Sequence, residues 1–201
     1  MNRKLNLQHI KDNPRVSVLI IGAGINGIGT FRDLSLQGVD CIIVERADFC
    51  SGTSATSSHM IHGGIRYLEN GGFRLVREAV RERNALLRNA PHLITQLPTI
   101  IPIYKMFSGL MNAPIKFLRL AKKSSERGLA VIKIGMSLYD SFTQQQGGVP
   151  NHEFISRKKA LEQFPKLNPA ILAAARYYDA AITAPERLCL ELLADGERAS
   201  S

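Results

Sequence analysis

The chain has 201 residues, 45% of them hydrophobic, and carries a formal net charge of +9 from 26 Lys and Arg against 17 Asp and Glu. This suits one large folded domain, or one and a half ordinary ones, and excludes a wholly disordered chain. Its three cysteines, Cys41, Cys50 and Cys189, are too few and too irregularly spaced for a disulfide framework, and no metal site is expected.

Residues 1–15 are polar, contain Pro14 and read as an N-terminal extension. They lack the apolar core of a secretory signal. The run from Val18 to Ile21 is far too short to cross a bilayer, so the expected location is cytoplasmic. The basic excess suits an anionic membrane surface or a phosphorylated ligand. Nucleic acid is not the expected partner, because no zinc-finger, helix-turn-helix or RNA-recognition signature accompanies the charge.

The elements follow in order. Val16–Ile21 is a β-branched apolar run that predicts a strand buried on both faces of a parallel sheet. Glycines come next, then a helix from about Asn26 to Gln37 stopped by Gly38, then a second buried strand, Val39–Val44, holding Cys41 as a small hydrophobe. Together they make a βαβ unit. Residues 47–65 are dense in Ser, Thr and Gly and read as a long loop. A helix is predicted over Phe73–Asn89, with Leu75, Val76, Ala79, Val80, Leu86, Leu87 and Ala90 on one face and the arginines between Arg66 and Arg88 mostly elsewhere. Leu97–Pro102 reads as extended. Residues 111–123, MNAPIKFLRLAKK, read as a short basic helix, either solvated or docked on anionic lipid. Helices are also expected over 131–142, over Ser156–Phe164 with Ser156 as N-cap, and over Ala184–Arg198, with a loop at Gln144–Pro150.

Gly22, Gly24 and Gly27 match G-x-G-x-x-G, placed where a strand ends and a helix begins, and Glu45 closes the second strand about 20 residues on. Gly22 permits the turn, Gly24 admits a pyrophosphate, and Gly27 lets helix and strand pack closely. The helix N-terminus offers unpaired N–H groups and partial positive charge to phosphate. Glu45 can accept from a ribose diol. These residues indicate a dinucleotide without choosing between NAD and FAD. The following loop favours FAD, because its small hydroxyl residues and free amides suit a second pyrophosphate contact.

The stretches IIGAGINGIGTFRDLSLQG (20–38) and ATSSHMIHGGIRYLENGGFRLVREAVRERNALLRNAPHL (55–93) resemble the FAD-dependent glycerol-3-phosphate dehydrogenase family. IGMSLYDSF (134–142) and YYDAAITAPERLCLELL (177–193) extend the resemblance. It implies an α/β fold: a Rossmann-like FAD-binding domain of the glutathione-reductase/D-amino-acid-oxidase type, occupying residues 16–201 and incomplete at its C-terminus. It also implies FAD as cofactor, with the pyrophosphate held at Gly22, Ala23, Gly24, Ile25, Asn26 and Gly27. Glu45 and Arg46 would lie beside the adenosine ribose, and Thr53, Ser54, Ser58, Met60 and Gly64 along the flavin. His62 would approach the isoalloxazine ring, and Arg66 and Tyr67 would face the substrate. The implied reaction oxidises sn-glycerol 3-phosphate to dihydroxyacetone phosphate and passes electrons to quinone, or to oxygen in the oxidase branch. The family is also associated with the inner face of the cytoplasmic membrane.

An arginine fork suits a phosphate, and an imidazole suits removal of a hydroxyl proton, which makes His62 a candidate base. Both residues also have plainer readings, as an ion-pair partner and as a structural histidine. Gly63-Gly64 is read as clearance for the ring. His59 stands where a lysine is expected in the family. The family continues beyond the length seen here, so these residues are expected to form one wall of an active site and to be inactive alone. Two rival readings stand beside this one: a non-catalytic FAD-binding or membrane-surface module, and a flavin oxidase of another small hydroxy or amino acid.

Overall fold

The computed structural model describes residues 3–106, 129–144 and 149–200. The basic tract 111–123 and the centre of the loop expected at 144–150 lie outside the described residues. The chain forms two compact units, one built from Met1–His59 with Ala184–Ser201 and the other from Met60–Thr183.

The first unit begins with α1 (Arg3–Asp12), whose described side chains are exposed, inside the stretch read as a polar extension. The strands β1 (Val18–Ile21) and β2 (Cys41–Val44) pair in parallel, with Val18 opposite Cys41 and Ile21 opposite Val44. Helix α2 (Ile25–Leu36) joins them, and Gly38 at φ 73° ends it in the left-handed position that glycine takes without strain. The last helix, labelled α6 here (Pro185–Ala199), belongs to the same unit.

The core of this unit gathers Ala23, Ile28, Phe31, Cys50, Cys189 and Leu193, with Ile20, Cys41 and Ile43 packed against it from the strands. Burial pushes the Cys189 thiol up to about 12, with Cys50 beside it adding to the shift. Because strand side chains alternate between faces, this core covers one face of β1 only. Leu19 is 56% exposed and Ile21 82%, so the expectation of a strand buried on both faces is corrected. Among the described residues this sheet has two strands, and the helical layer meets one of its faces. At Gly196 an added Cβ would meet a Phe31 ring carbon at 2.8 Å and the Arg32 Cα at 3.1 Å, so α6 rests directly on α2. An ion pair from Arg32 to Asp195 braces the contact and, as its largest influence, holds the Asp195 carboxyl below its usual range.

The second unit is built on a four-stranded sheet. Its centre is β6 (Ala173–Ile182), paired antiparallel along its whole length with β4 (Ile94–Ile103). The other edge of β6 is shared by β5 (Glu153–Ser156) at Ala173–Arg176 and by β3 (Met60–Ile61) at Ala180–Ala181. Pro98 and Pro102 lie in β4, which among the described residues pairs only with β6, and an edge strand tolerates a missing N–H. A 3-10 helix (Ile65–Asn70) leads into α3 (Phe73–Asn89). Helix α4 (Leu129–Gln144) and the short α5 (Arg157–Gln163) also belong to this unit. Ser156 sits at the N-cap of α5 but makes no side-chain cap bond, and its backbone closes β5 opposite Ala173.

Val76, Val80, Ile132, Met136, Tyr139, Ala175 and Tyr177 form the main core of this unit. Ala174 packs instead in a second cluster with Ile155, Ala160 and Ile171. Residues 175, 177 and 179 therefore share the face of β6 that meets α3 and α4. The buried stripe of α3 runs through Val76, Val80, Arg83 and Asn84, while Leu75 is exposed, which corrects the face read from the sequence. No described helix is long and apolar enough to cross a membrane.

Replacing Gly196 by Ala should force α6 away from α2. Overpacking of this kind costs about 1–3 kcal/mol. Urea unfolding followed by circular dichroism should show the lowered midpoint.

Candidate functional site

The glycine turn of the first unit is held by a closed set of backbone bonds. Gly22 takes φ 105°, which an L side chain rarely adopts, and its N–H donates to the Val44 carbonyl at 2.8 Å. Gly27 has its own reason to be glycine, because an added Cβ would lie 1.9 Å from the Gly22 carbonyl oxygen. The start of α2 thus rests on the turn itself. Ala23 is fully buried, and its carbonyl accepts from the Cys50 N–H at 2.9 Å. Cys50 reaches this position at φ 58°, tying the residue 47–59 loop back to the turn.

Glu45 serves the turn directly. Its Oε2 accepts the Ala23 N–H at 2.9 Å and its Oε1 the Ala47 N–H at 3.0 Å. The Ala23 bond, then the Ala47 bond, hold its carboxyl below the ordinary value. An ionised carboxylate offers about four lone-pair sites, so these two bonds leave capacity for a ribose hydroxyl. Ser54 Oγ accepts the Ile25 N–H at 3.0 Å, capping the first amide of α2 from a distant loop. Asn26 and Gly27 follow in the first helical turn, where no carbonyl four residues back can pair with their N–H groups. Gly22, Ala23, Gly24, Ile25, Asn26, Gly27, Glu45 and Ser54 are therefore brought together around one helix N-terminus. Arg46, Thr53 and Ser58 are exposed, and none of the contacts above involves them.

The second unit carries Met60, His62, Gly64, Arg66 and Tyr67. Strand β3 holds Met60 opposite Ala181, and the chain then leaves the sheet. Gly64 adopts φ 73°, and the Tyr67 N–H donates to its carbonyl at 2.8 Å, starting the 3-10 helix. His62, Arg66 and Tyr67 are all exposed, with the rings of His62 and Tyr67 6.2 Å apart. The two glycines have local causes: a Cβ on Gly63 would lie 2.0 Å from the Tyr139 hydroxyl, and one on Gly64 would lie 2.7 Å from the Tyr67 ring. Room for Tyr139 and Tyr67 is thus a local reason for glycine at both positions.

Sequence reasoning missed the group beneath this loop. Asp179 Oδ1 accepts the Gly63 N–H at 2.8 Å, the Tyr139 hydroxyl at 2.8 Å and Arg83 Nη1 at 3.2 Å. Arg83 is fully buried and also donates to the Tyr178 carbonyl, the Tyr139 oxygen and Asn84 Oδ1. Burial, as the main cause, holds the Tyr139 hydroxyl protonated far above the ordinary range and pushes Tyr177 up to about 12. The available signal was positional: Arg83 follows Val76 and Val80 at helical spacing, and Asp179 interrupts an apolar strand.

Residues 17–199 match the family model described as FAD dependent oxidoreductase. The chain is 36% identical over 190 residues to a glycerol-3-phosphate dehydrogenase of Synechocystis sp., covering 94% of this chain and 31% of that protein. It is 33% identical over 186 residues to the mitochondrial glycerol-3-phosphate dehydrogenase of Mus musculus, covering 89% of this chain and 23% of the mouse protein. The chain therefore spans about a third or less of these curated relatives. Its fold resembles that of dithionite-reduced L-alpha-glycerophosphate oxidase from Mycoplasma pneumoniae with FAD bound, at a TM-score of 0.63 and 19% identity over 92% of this chain and 43% of the other.

The Glu45 bonds have a pH signature. Its folded-state pKa lies below the ordinary glutamate value, so the stabilisation is fully present above that ordinary value. It is lost as pH falls through the lower folded-state value. Thermal melts at stepped pH should show Glu45→Gln less stable than the wild type near neutrality, with the difference closing in acid.

Proposed function

The chain belongs to the FAD-dependent oxidoreductase family, and on that premise we propose that it provides the cofactor-binding turn and part of the substrate wall of an enzyme that oxidises sn-glycerol 3-phosphate to dihydroxyacetone phosphate. The observation that carries the substrate is the exposed group His62, Arg66 and Tyr67, presented on a loop whose backbone is bonded from below. The relatives that share most of this chain are glycerol-3-phosphate dehydrogenases, which supports the same choice.

The residues of the first unit fit FAD. The turn at Gly22–Gly27 has no side chain at Gly22, Gly24 or Gly27, and in the first turn of α2 the Asn26 and Gly27 amides have no carbonyl four residues back to pair with, which suits a pyrophosphate. In this reading Gly24, Ile25, Asn26 and Gly27 meet the phosphates, and Glu45 meets the adenosine ribose. Thr53, Ser54, Ser58, Met60 and Gly64 belong to the stretch that follows the cofactor. When bound, FAD supplies the acceptor for the hydride lost from the substrate carbon.

The remaining tasks fall to side chains of this chain. Arg66 offers paired N–H donors to the substrate phosphate. Tyr67 donates its hydroxyl to a substrate oxygen, and its ring beside His62 restricts the imidazole. His62 accepts the proton of the C2 hydroxyl as the carbon is oxidised. Electrons leave to a quinone, and the protein works from the cytoplasmic side, at the inner face of the membrane.

Arg66→Ala should lower kcat/KM for sn-glycerol 3-phosphate by about 10- to 100-fold, the worth of a charge-assisted hydrogen bond. Most of the loss should appear in KM, and steady-state dye reduction measures it. An unchanged KM would remove Arg66 from the substrate site. Gly27→Ala should purify without flavin absorbance, because its Cβ would collide with the Gly22 carbonyl.

A further inference from the structure

Beneath the exposed residues lies a buried carboxylate that the reaction does not touch. Strand β3 is two residues long and pairs Met60 with Ala181 and Ile61 with Ala180. The ladder stops there, one position before Asp179 on β6. A chain leaving a sheet at this depth needs a substitute for the lost ladder bond, because an unpaired buried N–H is costly. The Asp179 side chain supplies it by accepting the Gly63 N–H at 2.8 Å.

We propose that Asp179 is a positioning residue: its buried carboxylate fixes the Gly63 peptide, and thereby the directions in which His62, Arg66 and Tyr67 project from the loop. Its catalytic consequence rests on the proposed function.

Three features support a positioning role. His62 adjoins the clamped peptide covalently. The Tyr67 N–H closes a turn on the carbonyl of Gly64, the next residue after Gly63, and Arg66 lies within that turn, so the turn carrying Arg66 and Tyr67 starts directly from the fixed peptide. Tyr139 occupies the volume a Gly63 side chain would need and donates to the same Asp179 oxygen at 2.8 Å. The peptide is therefore held by its amide and pressed from its Cα side. The charge is also arranged for geometry. Asp179 is 2% exposed and Arg83 fully buried, and a buried ion pair adds little net stability over a well-packed apolar pair. Such a pair does give Oδ1 the charge to accept from Gly63, Tyr139 and Arg83 together.

Two multiple variants of the full-length protein separate positioning from stability. Arg83→Gln/Asp179→Asn removes both charges and keeps an amide oxygen within reach of Gly63. Arg83→Met/Tyr139→Phe/Asp179→Leu removes the charges and leaves the Gly63 amide without an acceptor. Folding is checked by circular dichroism, and Gly63 amide exchange is read at single-residue level. Gly63 exchange should be slow in the wild type, stay slow in the Gln/Asn variant and rise by about 10-fold or more in the apolar variant. With sn-glycerol 3-phosphate, kcat/KM should fall by about 100-fold in the apolar variant, as expected for a misplaced substrate wall. The Gln/Asn variant should recover most of that loss.

Fast Gly63 exchange in the wild type would overturn the clamp, whether or not the variants fold. So would activities that follow the two melting temperatures instead of the acceptor. If the wild type does not oxidise glycerol 3-phosphate, the proposed function fails, and the exchange measurements alone still decide the clamp.

Discussion

One carboxylate oxygen, Asp179 Oδ1, ties together three segments of the second unit. It receives bonds from the Gly63 backbone, the Tyr139 hydroxyl and the Arg83 guanidinium, which come from the loop after β3, from α4 and from α3. Three separate segments thus meet on β6 at one point, beside the cluster of Val76, Val80, Met136 and Ala175. The loss of Asp179 alone would leave Arg83 charged and buried, an imbalance worth roughly 3–5 kcal/mol. The glycine at 63, the tyrosine at 139 and the arginine at 83 make sense only with one another.

The first unit depends on a different device, close backbone contact. Gly27 lies so near the Gly22 carbonyl that no side chain fits, and Glu45 braces the turn from the end of β2 through the Ala23 amide. The carboxylate therefore shapes the turn as well as offering oxygens to a ribose. A nucleotide site of this kind is mostly backbone, so its chemistry follows from where glycines permit close approach.

This difference explains what could be read from the sequence. The glycine turn, β1, α2 and β2 were legible because their determinants are local: glycines at fixed spacing, a short β-branched run and a helix stop. The extents of α3, α4 and α6 were legible for the same reason. Strand β6 was not, because AAARYYDAAI is poor in β-branched residues and is held as a strand by its pairing with β4 on one edge and β5 and β3 on the other. Arg83 stood among arginines read as lying mostly off the apolar face of α3, and its burial depends on Asp179, 96 positions away in sequence. The same long-range pairing hid the reason for Gly63. The exposed face of β1 escaped notice too, since an apolar run cannot say how many layers will cover it.

The family and its cofactor follow from the match over nearly the whole chain, whereas the substrate is inferred from three exposed side chains and from the names of relatives. The most direct test is anaerobic mixing of the purified full-length flavoprotein with candidate substrates while flavin absorbance is followed. The account predicts that sn-glycerol 3-phosphate bleaches the flavin and that glycerol, which lacks the phosphate Arg66 would bind, leaves it oxidised. Bleaching by a small amino acid such as glycine or L-proline, with none by glycerol 3-phosphate, would contradict it.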